Sequence, residues 1–159
     1  MIVDLVYQTL SKQLQQHPRY RFMFKWLGHV SSYVIAFGYG IVLVYMVATG
    51  HPLLLRTIIK PLLAFVIVTV FRKIVNRPRP YDVYDIEAVE SHKHGQSFPS
   101  RHSVSALIIA LSCLAVNQTV GMIMMCFALV VVMTRLLGCL HFVSDIVAAI
   151  IIVIIINWL

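Results

Sequence analysis

Apolar residues fall along this chain in long runs separated by short polar breaks, a spacing that suits membrane-crossing helices better than the faces of soluble ones. Five runs stand out, at about 26–49, 53–75, 99–118, 119–137 and 141–159. Each is close to the roughly 20 residues that a helix needs to cross a hydrocarbon core of about 30 Å. Gly50-His51-Pro52 closes the first run, Asn76, Pro78 and Pro80 close the second, and Asn117-Gln118 divides the third from the fourth. Arg56 and Lys60 lie in the first turns of the second run, where long stems let their charges reach the headgroups, and Pro61 is placed to kink that helix. Residues 1–24 differ. Ile2, Val3, Leu5, Val6 and Leu10 are interleaved with Gln8, Lys12, Gln13 and Gln15, which predicts an interfacial amphipathic helix ending near His17-Pro18. Residues 76–98 form a polar connector with Asp82, Asp85, Glu87, Glu90, His92, Lys93, His94 and Gly95; so long a connection in a compact chain usually serves a site. The expected fold is an all-α integral membrane bundle. It is a single domain over 1–159, with about five transmembrane helices and an N-terminal interfacial helix.

Composition strengthens the membrane reading. Hydrophobic residues make up 60% of the chain and charged residues 12%, whereas a soluble domain is about a quarter charged. The mean hydropathy is +0.86. The net charge of +7 is concentrated in Lys12, Arg19, Arg21 and Lys25, and again in Arg72, Lys73, Arg77, Arg79, Lys93 and Arg101. These cations border apolar runs, so the basic balance points to a membrane surface or an anionic substrate and not to nucleic acid. Cys113, Cys126 and Cys139 are odd in number, fit no metal or disulfide framework, and read as packing residues. Residues 1–16 lack the order of a signal peptide.

Candidate chemistry collects at the ends of the runs. In an up-and-down bundle the end of the second run, the start of the third, the end of the fourth and the start of the fifth share one side of the membrane. His141 and Asp145 are four apart and share a helix face, so the carboxylate can accept the Nδ1 proton and leave Nε2 free to attack. Arg135, six residues earlier, is a cation in an apolar stretch that calls for an anion. In Pro99-Ser100-Arg101-His102, either Ser100 or Ser103 can cap the third helix, whose first-turn N–H groups then face an anion, with His102 placed as a proton donor. Arg72 and Arg79-Pro80 taken alone equally suit a positive stop after a span.

Together these segments read R-x6-R-P, P-S-R-H and T-R-x5-H-x3-D. The set resembles the three-part signature of the type 2 phosphatidic acid phosphatase (PAP2) family, K-x6-R-P, P-S-G-H and S-R-x5-H-x3-D. The resemblance implies that His141 is a nucleophile forming a phosphohistidine, that Asp145 orients it and that His102 protonates the leaving oxygen. It also implies that Arg72, Arg79, Arg135 and Ser100 hold phosphoryl oxygens. Arg72 replaces the usual Lys and keeps the charge; Thr134 replaces Ser and keeps a hydroxyl. Arg101 replaces a Gly, and either contacts a second phosphate or reaches lipid headgroups.

The activity so implied is a metal-independent lipid phosphatase with no cofactor, since arginines would supply the charge that metal ions supply elsewhere. The substrate would be undecaprenyl diphosphate, phosphatidylglycerol phosphate or phosphatidic acid, taken from the bilayer. A count of basic residues puts the site in the cytoplasm; the habit of bacterial family members puts it on the extracytoplasmic face of the cell membrane, which is the expectation adopted. A membrane anion channel or transporter with an arginine-lined phosphate path is the alternative. It needs the cations but no His–Asp pair.

Overall fold

The computed structural model describes residues 2–84, 86–90 and 94–159, with side chains from residue 5; Asp85, His92 and Lys93 of the polar connector lie outside the described residues. Among the described residues the chain forms helices and no strands, in the order α1 (Ile2–Gln16), α2 (Pro18–Thr49), α3 (Leu54–Val75), α4 (Pro80–Val83), α5 (Arg101–Val116), α6 (Gln118–Leu137) and α7 (Val143–Trp158). The fold is an all-α bundle. Three stretches are long and apolar enough to cross a membrane, namely Pro18–Thr49, Leu54–Val83 and Gln118–Leu137, while α5 and α7 are shorter apolar helices.

The helix ends follow local chemistry. Pro18 opens α2 with its φ already set for a helix, and Gly50 closes it at φ 61°, its N–H returning to the carbonyls of Met46 and Val47. Residues 18–24, expected in the interfacial segment, belong instead to this long helix, because the chain breaks only at His17. Asn76 ends α3 in the left-handed conformation at φ 40°. Both α5 and α7 have 16 residues and begin later than the apolar runs suggest. Ser100 and Phe142 ahead of them are extended N-caps.

Pro61 lies inside α3 and brings no N–H to the Thr57 carbonyl one turn back. The Tyr39 hydroxyl of α2 donates to that carbonyl at 2.9 Å and fills the gap. Lipid offers no water to do so, and an unmet carbonyl there is costly.

Helix α5 is the central post, packed by α6, α3, α7 and α2. Ala64, Ala106, Ala110, Ala128 and Ala149 are buried along the contacts, and small residues let membrane helices approach closely. At the α5–α6 hairpin a Cβ on Gly121 would stand 2.1 Å from the Leu114 backbone, so only glycine fits. The outward faces are apolar, with Phe37 75% and Ile74 76% exposed, as lipid contact requires. Cys113 and Cys139 are buried as expected, but Cys126 is exposed on the outer side of α6.

A second apolar cluster joins α1 to the loops at one end of the bundle through Tyr7, Leu14, Ala88, Val89, Cys139, Leu140 and Phe142. Tyr7 stacks on Tyr84 and meets Phe142 edge-on. The amphipathic face of α1 is therefore divided. Tyr7, Ser11 and Leu14 meet protein, while Leu5 and Val6 stay exposed.

Tyr39→Phe should lower stability in detergent by about 1–3 kcal/mol, because it strands the Thr57 carbonyl. In a Pro61→Ala background the helix regains its own N–H, and the same change should cost less than half as much. Thermal unfolding of the four proteins reads the coupling; equal costs in both backgrounds would reduce Tyr39 to a packing residue.

Candidate active site

The end of α3, the 76–100 connector, the start of α5, the end of α6 and the 138–142 turn meet around one cavity of about 340 Å³. Arg72, Arg79, Arg101, Arg135, His102 and His141 line it, with His94, Gly95, Gln96 and Leu140 completing the wall. The ends of the apolar runs thus do share one side of the bundle.

Asp145 anchors the arrangement. It is the third residue of α7 and fully buried. Its Oδ2 accepts the Phe142 N–H at 2.9 Å and the Ser97 hydroxyl, and lies 3.3 Å from His141 Nδ1. Its Oδ1 accepts from Arg77 at 2.9 Å. Arg77 also donates to Ser144 at 2.7 Å and lies over the Phe142 ring, 4.4 Å from its centroid. With Nδ1 turned to the carboxylate, the other ring nitrogen of His141 is the one left for chemistry. The main chain is braced as well, since the Tyr7 hydroxyl donates to the His141 carbonyl at 3.2 Å.

The cavity arginines are held mainly by carbonyls. Arg72 donates to the Pro99 carbonyl at 3.4 Å, and Arg79 Nε donates to that of Gly95 at 3.1 Å. Carbonyls fix a guanidinium without cancelling its charge. Arg135 lies 3.7 Å from Glu90, a looser pair, and among the described residues its buried Nε has no hydrogen-bond partner. Glu90 is also approached by Lys25 at 3.8 Å and His29 at 3.2 Å, so its charge is shared. Arg101 leans over the Phe65 ring of α3, 5.6 Å from its centroid. At the rim His94 Nδ1 meets Asp82 at 2.5 Å. Such an array of cations in a concave wall has the charge and donor geometry that suit a phosphate-like anion.

A family model for the PAP2 superfamily matches residues 53–159, the stretch that holds every residue of this cavity. The chain belongs to the PAP2 superfamily. Among curated proteins it is similar to undecaprenyl-diphosphatase BcrC of Bacillus subtilis, at 29% identity over 82 residues, or 52% of this chain. That match spans only 42% of the relative's length. The fold is shared with the crystal structure of Aquifex aeolicus LpxE, at TM-score 0.73 and 22% identity over 96% of this chain and 93% of that one. It is shared too with a transmembrane PAP2-type phosphatidylglycerolphosphate phosphatase from Bacillus subtilis. There the TM-score is 0.65 and the identity 18%, over 99% of this chain and 85% of that one.

Within this PAP2 chain, the structure brings Arg72, Arg79, Arg101, His102, Arg135 and His141 into one wall and sets Asp145 directly behind it. Ser100 departs from expectation. It is the N-cap of α5, but it is fully buried and does not line the cavity. Its hydroxyl pairs with Ser103 at 2.9 Å and caps no N–H, while its own N–H donates to the Asp145 carbonyl at 3.3 Å. Thr134 turns its hydroxyl back to Val131. Two contributors escape a sequence reading, Arg77 and Ser97. Arg77 sits among helix-stopping residues, and the only clue to it is that Asp145 needs a cation. Ser97 carries no signal beyond its nearness to Pro99-Ser100.

Burial, with help from Arg79 and Arg72 and against the pull of Asp145, presses the His141 pKa down to about 4. The imidazole is therefore neutral at physiological pH, with one ring nitrogen unprotonated. The unfolded chain takes up this proton near 6.5 and the folded chain only near 4. The resulting stability is complete above about pH 6.5 and declines as pH falls towards 4, by up to roughly 3 kcal/mol. His141→Gln removes this contribution. Its melting midpoint should fall less between about pH 7.5 and 4.5 than that of the wild type, and equal acid sensitivity would refute the buried neutral state.

Proposed function

We propose that this chain is a membrane lipid phosphatase that removes a terminal phosphate from a lipid phosphate or diphosphate through a phosphohistidine on His141. One observation carries the reading. The arginine-lined cavity adjoins an apolar groove of about 320 Å³ between α2, α3 and α5, and Arg101 and His102 belong to both walls. Ile35, Ala36, Phe65, Ala106 and Ile109 line that groove. A molecule that fills both spaces has a phosphate at one end and a hydrocarbon chain at the other. The names of the similar proteins, an undecaprenyl-diphosphatase and a phosphatidylglycerolphosphate phosphatase, are in keeping with such a substrate. Undecaprenyl diphosphate, phosphatidylglycerol phosphate and phosphatidic acid all fit this description.

The chemistry follows from the wall. Arg72, Arg79 and Arg135 hold the phosphoryl oxygens and offset charge as the transition state forms. His141 Nε2 attacks phosphorus in line, the bond to the lipid oxygen breaks, and His102 gives that oxygen its proton. Water then attacks the phosphohistidine, His102 takes the water proton, and inorganic phosphate leaves. Asp145 stabilises the imidazolium as it forms, held by Ser97 and Arg77. Ser100 acts from behind the wall by fixing the start of α5 against α7. No metal ion or cofactor takes part, and the His–Asp pair favours hydrolysis over an anion path.

We read the chain as a single domain with α2, α3, α5, α6 and α7 as five spans, α1 over the catalytic side, and the 76–98 connector as the active-site loop. The cavity faces outward from the cell membrane, its basic residues serving phosphate and not topology.

Phosphate release from a panel of lipid mono- and diphosphates in excess EDTA tests the reaction. Turnover should persist, vanadate should inhibit, and His141→Ala should abolish activity while the protein stays folded; dependence on added Mg²⁺ or Zn²⁺ would overturn the mechanism.

Arg101 stands at the junction of cavity and groove, which suits contact with the second phosphate of a diphosphate lipid. Arg101→Gly should lower kcat/KM for diphosphate lipids about ten- to a hundredfold, the worth of one charge-assisted hydrogen bond. Matched monophosphate lipids should change little. Equal losses for both would remove the diphosphate preference.

A further inference from the structure

The opposite end of the bundle holds a second basic cavity that the phosphatase reaction does not use. It has about 220 Å³ and lies between the first turns of α3, the last turns of α5 and the end of α7. Leu53, Arg56, Thr57 and Lys60 fall at helical spacing on one face of α3 and all line it, opposite Ser112 and Asn157. Lys60 Nζ donates to the Asn157 carbonyl in the last turn of α7 at 2.5 Å, which sets the ammonium at the cavity wall.

Charge distribution makes this pair unusual. The six acids of the chain are Asp4, Asp82, Asp85, Glu87, Glu90 and Asp145. In sequence they belong to α1, the connector and the first turn of α7. No Asp or Glu falls within α3, α5 or α6, and among the described residues neither Arg56 nor Lys60 makes an ion pair. Two cations one turn apart repel each other in the low dielectric of a membrane edge unless an anion joins them. Snorkelling explains why long stems climb towards water. It does not explain why both cations border the same hollow, or why one is tethered to a helix end beneath it.

The depth of the site identifies the anion. Leu55, Ile58 and Ile59 beside the pair are exposed on the lipid-facing side of α3, and Trp158, 86% exposed at the end of α7, marks the interface. Leu53, Leu111 and Ala115 give the cavity an apolar floor. We propose that Arg56 and Lys60 bind the headgroup phosphate of an anionic phospholipid in the leaflet opposite the active site, and so tie α3, α5 and α7 together.

Phosphatidylglycerol is a suitable probe, because its phosphodiester presents no terminal phosphate for the catalytic cavity to remove. Native mass spectrometry of the full chain, titrated with phosphatidylglycerol in a zwitterionic detergent, should show one tightly retained lipid. Arg56→Gln/Lys60→Gln should weaken that binding about ten- to a hundredfold, as expected for the loss of charge-assisted contacts. Its phosphate release from a short-chain lipid phosphate should match the wild type, which also reports that the variant is folded. Arg56→Lys/Lys60→Arg keeps both charges and should keep the lipid. Retention of phosphatidylglycerol by the glutamine variant would overturn the proposal. So would equal retention of phosphatidylcholine by the wild type, or displacement by glycerol phosphate at matched concentration, which would make the site one for soluble phosphate. The lipid-retention readout does not depend on turnover, so the phosphatase assignment can fail without affecting it.

Discussion

The buried carboxylate of Asp145 is the constraint on which the rest of the catalytic end depends. A carboxylate with no exposure survives at the mouth of an apolar helix only if its lone pairs are met. Four partners meet them, two from the adjoining turn and two from segments far back in the chain: the Phe142 N–H and the His141 ring, the Ser97 hydroxyl and the Arg77 guanidinium. Meeting these needs fixes the turn before α7, the end of the connector and the stretch after α3 in one arrangement. The histidine is thereby held in one tautomer, and the cavity takes its shape around it.

Arginines divide into two kinds in this arrangement. Arg77 is neutralised by the carboxylate it supports. Arg72 and Arg79 rest on carbonyl oxygens, which orient them and leave their charge intact. Among the described residues Arg135 meets a distant carboxylate, which it shares with Lys25 and His29. The cavity is therefore positive and pre-aimed, which is what electrostatic stabilisation of a phosphoryl group requires. Burial also holds the His141 ring neutral, which leaves one ring nitrogen with a free lone pair beside these cations.

The scaffold obeys the rule that backbone polar groups in lipid must be paired inside the protein. Tyr39 completes α3 where Pro61 cannot, and Gly121 lets α6 close on α5. The central α5 carries His102 at its first turn and is gripped by four other helices. His102 is thus fixed to the central helix of the bundle, while the loop that carries His141 is braced from outside by Tyr7 of α1.

The sequence by itself determined the helical class, the membrane setting and most of the cavity wall. Long apolar runs and the R-x6-R-P, P-S-R-H and T-R-x5-H-x3-D segments are local patterns, readable without coordinates. What only the tertiary structure decided are contacts between segments distant in the chain. Arg77 and Ser97 earn their places through Asp145, some 68 and 48 residues away. Ser100 withdraws from the cavity because Ser103 takes its hydroxyl, and residues 18–24 join α2 because nothing after His17 breaks the helix. The amphipathic face of α1 is visible in sequence, but its partner is not, because period and polarity state that a face must be covered and do not say by what. Tyr7 meets the His141 carbonyl across 134 residues, a pairing that only the folded chain creates.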